Sequence, residues 1–227
     1  MRTKTYNTFF FDLDGTLTDS GEGILKCAQL TLEHFGVHVE DWHSLRHFMG
    51  PPIQDTFHEV YGFNEEKSVQ ARDYYRIRYN TVGLFENRVY EGIPEVLEDL
   101  KAAGARLMVA TSKPEVTSLR VLEHFDLLKY FEIIVGSEMD GRRDKKADVI
   151  REVFRRAGIS EEEKASVLMI GDRRHDMIGA AQTGIDSLGI YSGYAEPGEL
   201  EKAGGTYVVH SVQEMRELLR SLTARHS

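Results

Sequence analysis

Two carboxylates two residues apart, Asp12 and Asp14, follow an unbroken apolar run, Phe9-Phe10-Phe11. Gly15 comes next and lets the chain turn. The apolar run suits a strand buried on both faces, with the two acids at its carboxyl end. In open α/β sheets that end is where ligands bind. Carboxylates so placed can hold a hard cation such as Mg²⁺. One of them can attack phosphorus while the other handles a proton. Asp14-Gly15 taken alone is also an ordinary turn pair.

Three further polar clusters follow the same logic. Leu107-Met108-Val109-Ala110 delivers Thr111-Ser112-Lys113, and Val167-Leu168-Met169-Ile170 delivers Gly171-Asp172, with Asp176 four residues on. Between them, Lys145 and Lys146 open an amphipathic pattern. Each has a plainer reading by itself. Thr111-Ser112 can cap a helix, the lysines can be a solvated charge run, and Gly171-Asp172 can be a turn. Lys113 reads as a structural residue, and His175 as a surface or supporting group.

The elements that must position these residues alternate. After the first strand come four helical segments with no strand between them: Leu25 to Phe35, Trp42 to Met49, Ile53 to Tyr61, and about Glu65 to Asn80. They suggest an inserted helical domain over 18–90, with the remaining residues, 1–17 and 91–227, forming the core. The core pattern then runs helix Pro94 to Ala103, strand Arg106 to Ala110, a helix after Pro114, and strand Glu132 to Val135. A charged loop from Asp140 to Lys146 leads to a helix through Phe154, then strand Val167 to Ile170 and a helix through Ala180-Ala181. Strand Ser187 to Tyr191, a helix near Pro197 to Ala203, strand Tyr207 to Val209 and a closing amphipathic helix complete it. The fold class expected is α/β: a Rossmann-like, mostly parallel sheet with helices on both faces, plus an all-helical insert. Asp12, Asp14, Thr111 and Asp172 then lie along one rim.

The string Asp12-Leu13-Asp14-Gly15-Thr16 resembles the signature of the haloacid dehalogenase superfamily of phosphatases, Asp-x-Asp-Gly-Thr after the first strand. The other clusters are similar to that family's remaining motifs in the same order, and the resemblance spans essentially the whole chain. It implies a Mg²⁺-dependent phosphatase working through an aspartyl-phosphate. Asp12 would be the nucleophile and Asp14 the acid and base. Thr111 and a lysine would act on the phosphoryl oxygens. Asp12, Asp172 and the backbone carbonyl of Asp14 would hold the metal, braced by Asp176. Lys146 opens its helix and is favoured over Lys145, although family members often show Lys-Pro where this chain has Lys146-Ala147. Gly15 and Ser112 are expected beside the substrate. The insert would be the family's cap, and the loop Met49-Gly50-Pro51-Pro52 a candidate to face the core, Gly50 touching substrate.

The run Gly171 to Ala180 looks close to the 5′-nucleotidase-like and phosphoglycolate-phosphatase-like branch. Lys26, Arg46 and His47 lie in the first two insert helices. A guanidinium can grip a second anion with two parallel hydrogen bonds, so Arg46 favours phosphoglycolate ahead of a nucleoside monophosphate. Plain solvation is the competing reading of Arg46. Dehalogenases and phosphonate hydrolases of this scaffold lack the second aspartate, so Asp14 disfavours both. A phosphosugar mutase keeps both acids and stays open. A catalytically silent binding protein is the remaining alternative.

Composition bounds the rest. With 227 residues, 41% of them hydrophobic, the chain can carry a core and an insertion. Thirty-seven acidic residues against 28 basic ones give a net charge of −9, which argues against nonspecific nucleic-acid binding. The single cysteine, Cys27, excludes an internal disulfide. The start, Met1 to Thr5, is not followed by a signal-peptide-like apolar region, and no transmembrane stretch is read. The expectation is a cytoplasmic monomer or weak homodimer acting on a small-molecule phosphomonoester, with no nucleic-acid or membrane partner.

Overall fold

The phenylalanine run forms strand β1 (Thr8–Phe11), and Phe9, Phe10 and Phe11 are all fully buried. A computed structural model describes residues 4–138 and 142–224. Met1, Arg2 and Thr3 of the N-terminal stretch, and Asp140 and Gly141 of the charged loop, lie outside the described residues. The strands after β1 are β2 (Thr18–Asp19), β3 (Arg88–Val89), β4 (Arg106–Pro114), β5 (Ile133–Ser137), β6 (Val167–Gly171), β7 (Asp186–Ile190) and β8 (Tyr207–Val209). The helices are α1 (Gly21–His34), α2 (Ile53–Tyr61), α3 (Glu65–Arg78), α4 (Ile93–Ala102), α5 (Glu115–His124), α6 (Lys146–Ala157), α7 (Arg174–Thr183), α8 (Glu199–Lys202) and α9 (Val212–Leu222). Among the described residues, no helix is long and apolar enough to cross a membrane.

Two units make up the chain: Met1–Thr18 with Val89–Ser227, and Asp19–Arg88. In the first, six strands form a parallel sheet in the order β5-β4-β1-β6-β7-β8. β1 lies between β4 and β6, with Phe10 opposite Met108 on one side and Met169 on the other. Burial on both faces explains why β1, β4 and β6 read as continuous apolar runs. Phe10 packs with Met108, Met169, Val149, Val153 and Phe154 beneath α6. Phe9 and Phe11 point the other way by strand alternation, and the Phe11 ring meets Phe131 edge-on at 6.1 Å. Burying each such side chain contributes about 1.5–3 kcal/mol. Chain order reverses at β1, since the strands on its two sides are reached by crossovers in opposite directions. The crevice at the carboxyl ends beside β1 is therefore the expected ligand site.

Several boundaries differ from those expected. β4 does not stop at Ala110 but continues to Pro114, its register shifting so that Pro114 pairs with Ser137 of β5. Thr111 and Lys113 are thus strand residues with buried side chains. The helix expected from Pro197 shortens to α8, because Gly198 at φ +78° precedes it.

The second unit is helical. Trp42–Phe48 forms a 3₁₀ segment, non-helical at Leu45, in place of a regular helix to Met49. α3 ends at Arg78 and passes into a π turn over Tyr79–Gly83. An aromatic cluster holds the unit's interior: Phe57 stacks on Phe63 at 5.9 Å, and Phe48 meets Phe57 at 5.1 Å. Asp41 and Asn64 cap the 3₁₀ segment and α3 with side-chain oxygens.

Candidate active site

The turn after β1 interleaves buried apolar anchors with acids. Leu13 and Leu17 are fully buried, which fixes the turn and leaves Asp12 and Asp14 at the sheet's rim. The Leu13 N–H donates to Asp12 Oδ1 at 2.8 Å. Gly15 adopts φ +82°, and a Cβ there would lie 2.2 Å from Asp172 Oδ2. Only glycine meets both demands.

Each remaining cluster arrives from its own strand or helix. The Thr111 hydroxyl accepts from the Lys113 N–H at 3.2 Å and draws the Asp12 carboxyl down. The Lys146 ammonium, at the first residue of α6, lies 3.0 Å from Asp12 Oδ1 and 2.7 Å from Asp176 Oδ1. It also donates to the Ala110 carbonyl at 2.9 Å. Lys145 is exposed. Asp176 Oδ2 accepts from the Arg173 N–H at 3.1 Å. Asp172, fully buried, accepts from the Tyr194 N–H at 2.7 Å and the Thr16 hydroxyl at 3.2 Å.

The two aspartates of the first motif are paired with different lysines. Both oxygens of Asp14 face Lys113 Nζ, at 2.9 and 3.2 Å. Asp12, Asp172 and Asp176 instead converge, each offering an oxygen within 4.8 Å of the others. Burial pushes Asp12 up to about 6, with Asp176 adding to the rise and Lys146, Thr111 and the Leu13 N–H opposing it. Burial, Asp176 and Asp12 hold Asp172 well above the usual carboxylate range. Burial works against the charge on Lys146, but Asp12 and Asp176 more than offset it and the group is raised.

This donor set fits a hard divalent cation. Mg²⁺ takes oxygen ligands at about 2.1 Å, so any two of its ligands lie no more than about 4.2 Å apart, and the three carboxylates offer oxygens that all fall within 4.8 Å of one another. With all three acids ionised, as ligation requires, one ammonium leaves two negative charges that a dication balances.

The structure thus gathers Asp12, Asp14, Gly15, Thr111, Lys146, Asp172 and Asp176 at one rim. Ser112 is exposed beside Thr111 on β4. Arg46 and Gly50 belong to the helical unit, where both are exposed and Gly50 takes φ +111°. Lys26 in that unit pairs with Glu22 at 2.5 Å and lies 3.7 Å from Glu86. Sequence reasoning passed over four contributors. Lys113, read as structural, holds Asp14. Thr16 stands within the first motif, and its hydroxyl bonds Asp172. Gly193 and Tyr194 follow β7 at the same rim, and that position was the available signal. A Cβ at Gly193 would lie 2.2 Å from the Gly15 carbonyl and 2.3 Å from Asp172 Oδ2.

Comparison with known proteins agrees with this geometry. The model of the haloacid dehalogenase-like hydrolase family matches residues 9–190. A 5′-nucleotidase of Pseudomonas aeruginosa is 41% identical over 95% of this chain and 96% of its own length. The tyrosine-protein kinase PtkA of Mycobacterium tuberculosis is 39% identical over 92% of this chain and 71% of its own. The crystal structure of a predicted phosphatase from Clostridium acetobutylicum superposes with a TM-score of 0.90 at 46% identity, covering 96% of this chain and 100% of that one. With the family's order of motifs on the family's fold, the chain belongs to the haloacid dehalogenase-like hydrolases and is an enzyme of their phosphatase kind.

Proposed function

We propose that this enzyme is a Mg²⁺-dependent phosphatase that hydrolyses small phosphate monoesters through a phosphorylated Asp12. The observation that carries the reading is the division of labour between the two neighbouring aspartates. Asp12 lies in the three-carboxylate cluster against Lys146 and Thr111, while Asp14 stands on Lys113.

In the first step an Asp12 oxygen attacks phosphorus, the bond to the leaving oxygen breaks, and Asp14 gives that oxygen a proton. In the second a water attacks the phosphoryl group, Asp14 takes its proton, and inorganic phosphate leaves with Asp12 restored. Lys146 and the Thr111 hydroxyl stabilise charge on the phosphoryl oxygens. Asp12, Asp172 and the backbone carbonyl of Asp14 would hold Mg²⁺, with Asp176 as a brace or a fourth oxygen. The bound ion neutralises phosphoryl charge. The helical segment over 18–90 acts as a cap that selects the leaving group and excludes water.

The name of the Pseudomonas relative supports 5′-nucleoside monophosphates as the first substrates to test. Phosphoglycolate is the second, on the chemistry of Arg46. The test is phosphate release from both and from phosphosugars, with Mg²⁺ and after chelation, in the parent and in Arg46→Ala. Expected are release that chelation abolishes and Mg²⁺ restores, and an acid-stable phosphoprotein trapped only with Asp12 present. A loss confined to phosphoglycolate in Arg46→Ala assigns that residue to a second anion. Full activity after exhaustive chelation, or an isomer as product with little free phosphate, contradicts the reading.

A further inference from the structure

Glu199 opens α8, yet only 11% of its side chain is exposed. Its carboxylate accepts three N–H donors. Arg173 Nε at 2.9 Å and the Arg174 backbone N–H at 2.8 Å reach Oε1, and the Glu196 backbone N–H at 3.0 Å reaches Oε2. Glutamate at a helix start is ordinarily solvated. This one joins two segments, and each of them holds a carboxylate of the three-acid cluster.

On the first segment, Asp172 immediately precedes Arg173, whose N–H donates to Asp176 Oδ2 at 3.1 Å. On the second, Glu196 lies two residues beyond Tyr194, whose N–H donates to Asp172 Oδ2 at 2.7 Å. The second segment is pressed against the site at Gly193, where a Cβ would meet both the Gly15 carbonyl and Asp172. Asp12, Asp172 and Asp176 repel one another, so their convergence depends on the donors that hold them. The N–H groups of Arg173 and Tyr194 are two of those donors, and Glu199 is the side chain common to both segments.

We propose that Glu199 is a positioning residue for the metal-binding carboxylates: it ties the loop Tyr191–Gly198 to the start of α7 and so holds Asp172 and Asp176 at the spacing of a divalent cation. The inference rests on the metal reading given under the proposed function. Without the tie, the loop and α7 must be ordered when the ion binds, and that ordering subtracts from affinity. Groups bonded directly to metal ligands typically matter by about 10–100-fold in metal affinity, and Glu199 acts one contact further out, at the lower end of that range.

The test is calorimetric Mg²⁺ titration of the full chain without substrate, alongside thermal unfolding without metal. Glu199→Ala should weaken Mg²⁺ binding by about 10-fold. With saturating Mg²⁺, its kcat should return close to the parent's. Glu199→Gln should fall between the two, since its amide oxygen can keep the α7 donors while its NH₂ faces the Glu196 N–H. Glu132→Ala, which breaks a surface pair with Arg106, should leave Mg²⁺ affinity unchanged. The inference is overturned if Glu199→Ala binds Mg²⁺ as the parent does, or if Glu132→Ala weakens binding equally. If Glu199→Ala does not fold, unchanged affinity in Glu199→Gln overturns it. No Mg²⁺ binding by the parent overturns the metal reading and this inference together, a result distinct from binding that ignores Glu199.

Discussion

The two rims of the sheet use the same residue types to opposite ends. At the amino rim, Tyr6 is fully buried and its hydroxyl donates to Asp186 at 2.6 Å. Lys4 pairs with the same carboxylate, and the Tyr207 hydroxyl lies 3.3 Å from that of Tyr6. One acid there meets one ammonium and a phenol. Burial works against the charge on Asp186, yet Lys4 and Tyr6 hold it below the usual range. At the carboxyl rim, four aspartates meet two lysines, and Asp12 and Asp172 are pushed up. A balanced cluster closes the fold. An unbalanced one, held together by backbone, leaves negative charge for a cation to answer, and such perturbed sites are where function concentrates.

The sharpest way to break this contrast is to neutralise one acid at each rim. Asp12→Asn should abolish turnover and leave no phosphoprotein. Asp186→Asn should cost some thermal stability and leave kcat/KM near the parent's. Comparable turnover losses in the two variants would show that the rims do not differ in kind.

Within the carboxyl rim, Asp14→Asn keeps the nucleophile and removes the proton carrier. Turnover should fall about 10²–10⁴-fold on alkyl phosphates, the usual contribution of general acid–base catalysis. The loss should be smaller on a nitrophenyl ester, whose leaving group needs no proton. Equal losses on both substrates would contradict the role given to Asp14.

Removing a cation separates the rims by stability. Lys146→Met leaves buried acids uncompensated, and breaking a buried pair in this way costs about 3–5 kcal/mol. At roughly 2–4 °C per kcal/mol for a chain of this size, Tm should fall by about 6–20 °C without metal, and Mg²⁺ should narrow the gap. Lys4 is 47% exposed, so Lys4→Met should cost no more than about 1 kcal/mol. A Lys146→Met protein as stable as the parent without metal would mean that the carboxyl rim holds no excess charge.

Much of this arrangement was legible because its chemistry sits where apolar runs end. Phe9 to Phe11 announce a strand, and the acids after them can only be at its carboxyl end. Lys146 shares a helical face with Val149, Ile150 and Val153, so periodicity alone favours it over Lys145. The rest depends on contacts between distant residues. β4 runs on through Lys113 because Pro114 pairs with Ser137 and Lys113 reaches back to Asp14. Tyr194 reaches Asp172 through its backbone N–H, which any residue but proline carries. Glu199 meets Arg173 across 26 positions, and no local pattern signals that. Arg46 is a candidate by residue type and Gly50 by its place in the Gly-Pro loop, and neither ground says what an exposed position meets.

A third kind of charge cluster, away from both rims, should give the smallest effect. Asp99 on α4 accepts from Arg216 Nε at 2.6 Å and from Arg220 Nε at 2.8 Å, both on α9. The two guanidinium groups hold its carboxyl down to about 2, against about 3.9 in an unfolded chain. A depressed acid contributes stability that is fully present above the unfolded value and is lost as pH falls through the folded one. The window is therefore from about pH 4 down to pH 2. Arg220 is 56% exposed and Asp99 26%, so solvent screening limits the cluster to about 1 kcal/mol. Asp99→Asn should accordingly lower Tm by about 2–4 °C at pH 7. The difference should shrink in high salt, as expected for screened charge, and should close below pH 4. A gap that stays the same at pH 7 and pH 2.5 would mean that packing between α4 and α9, and not the ion pairs, sets the cost. Asp99 would then belong with the balanced contacts of the amino rim.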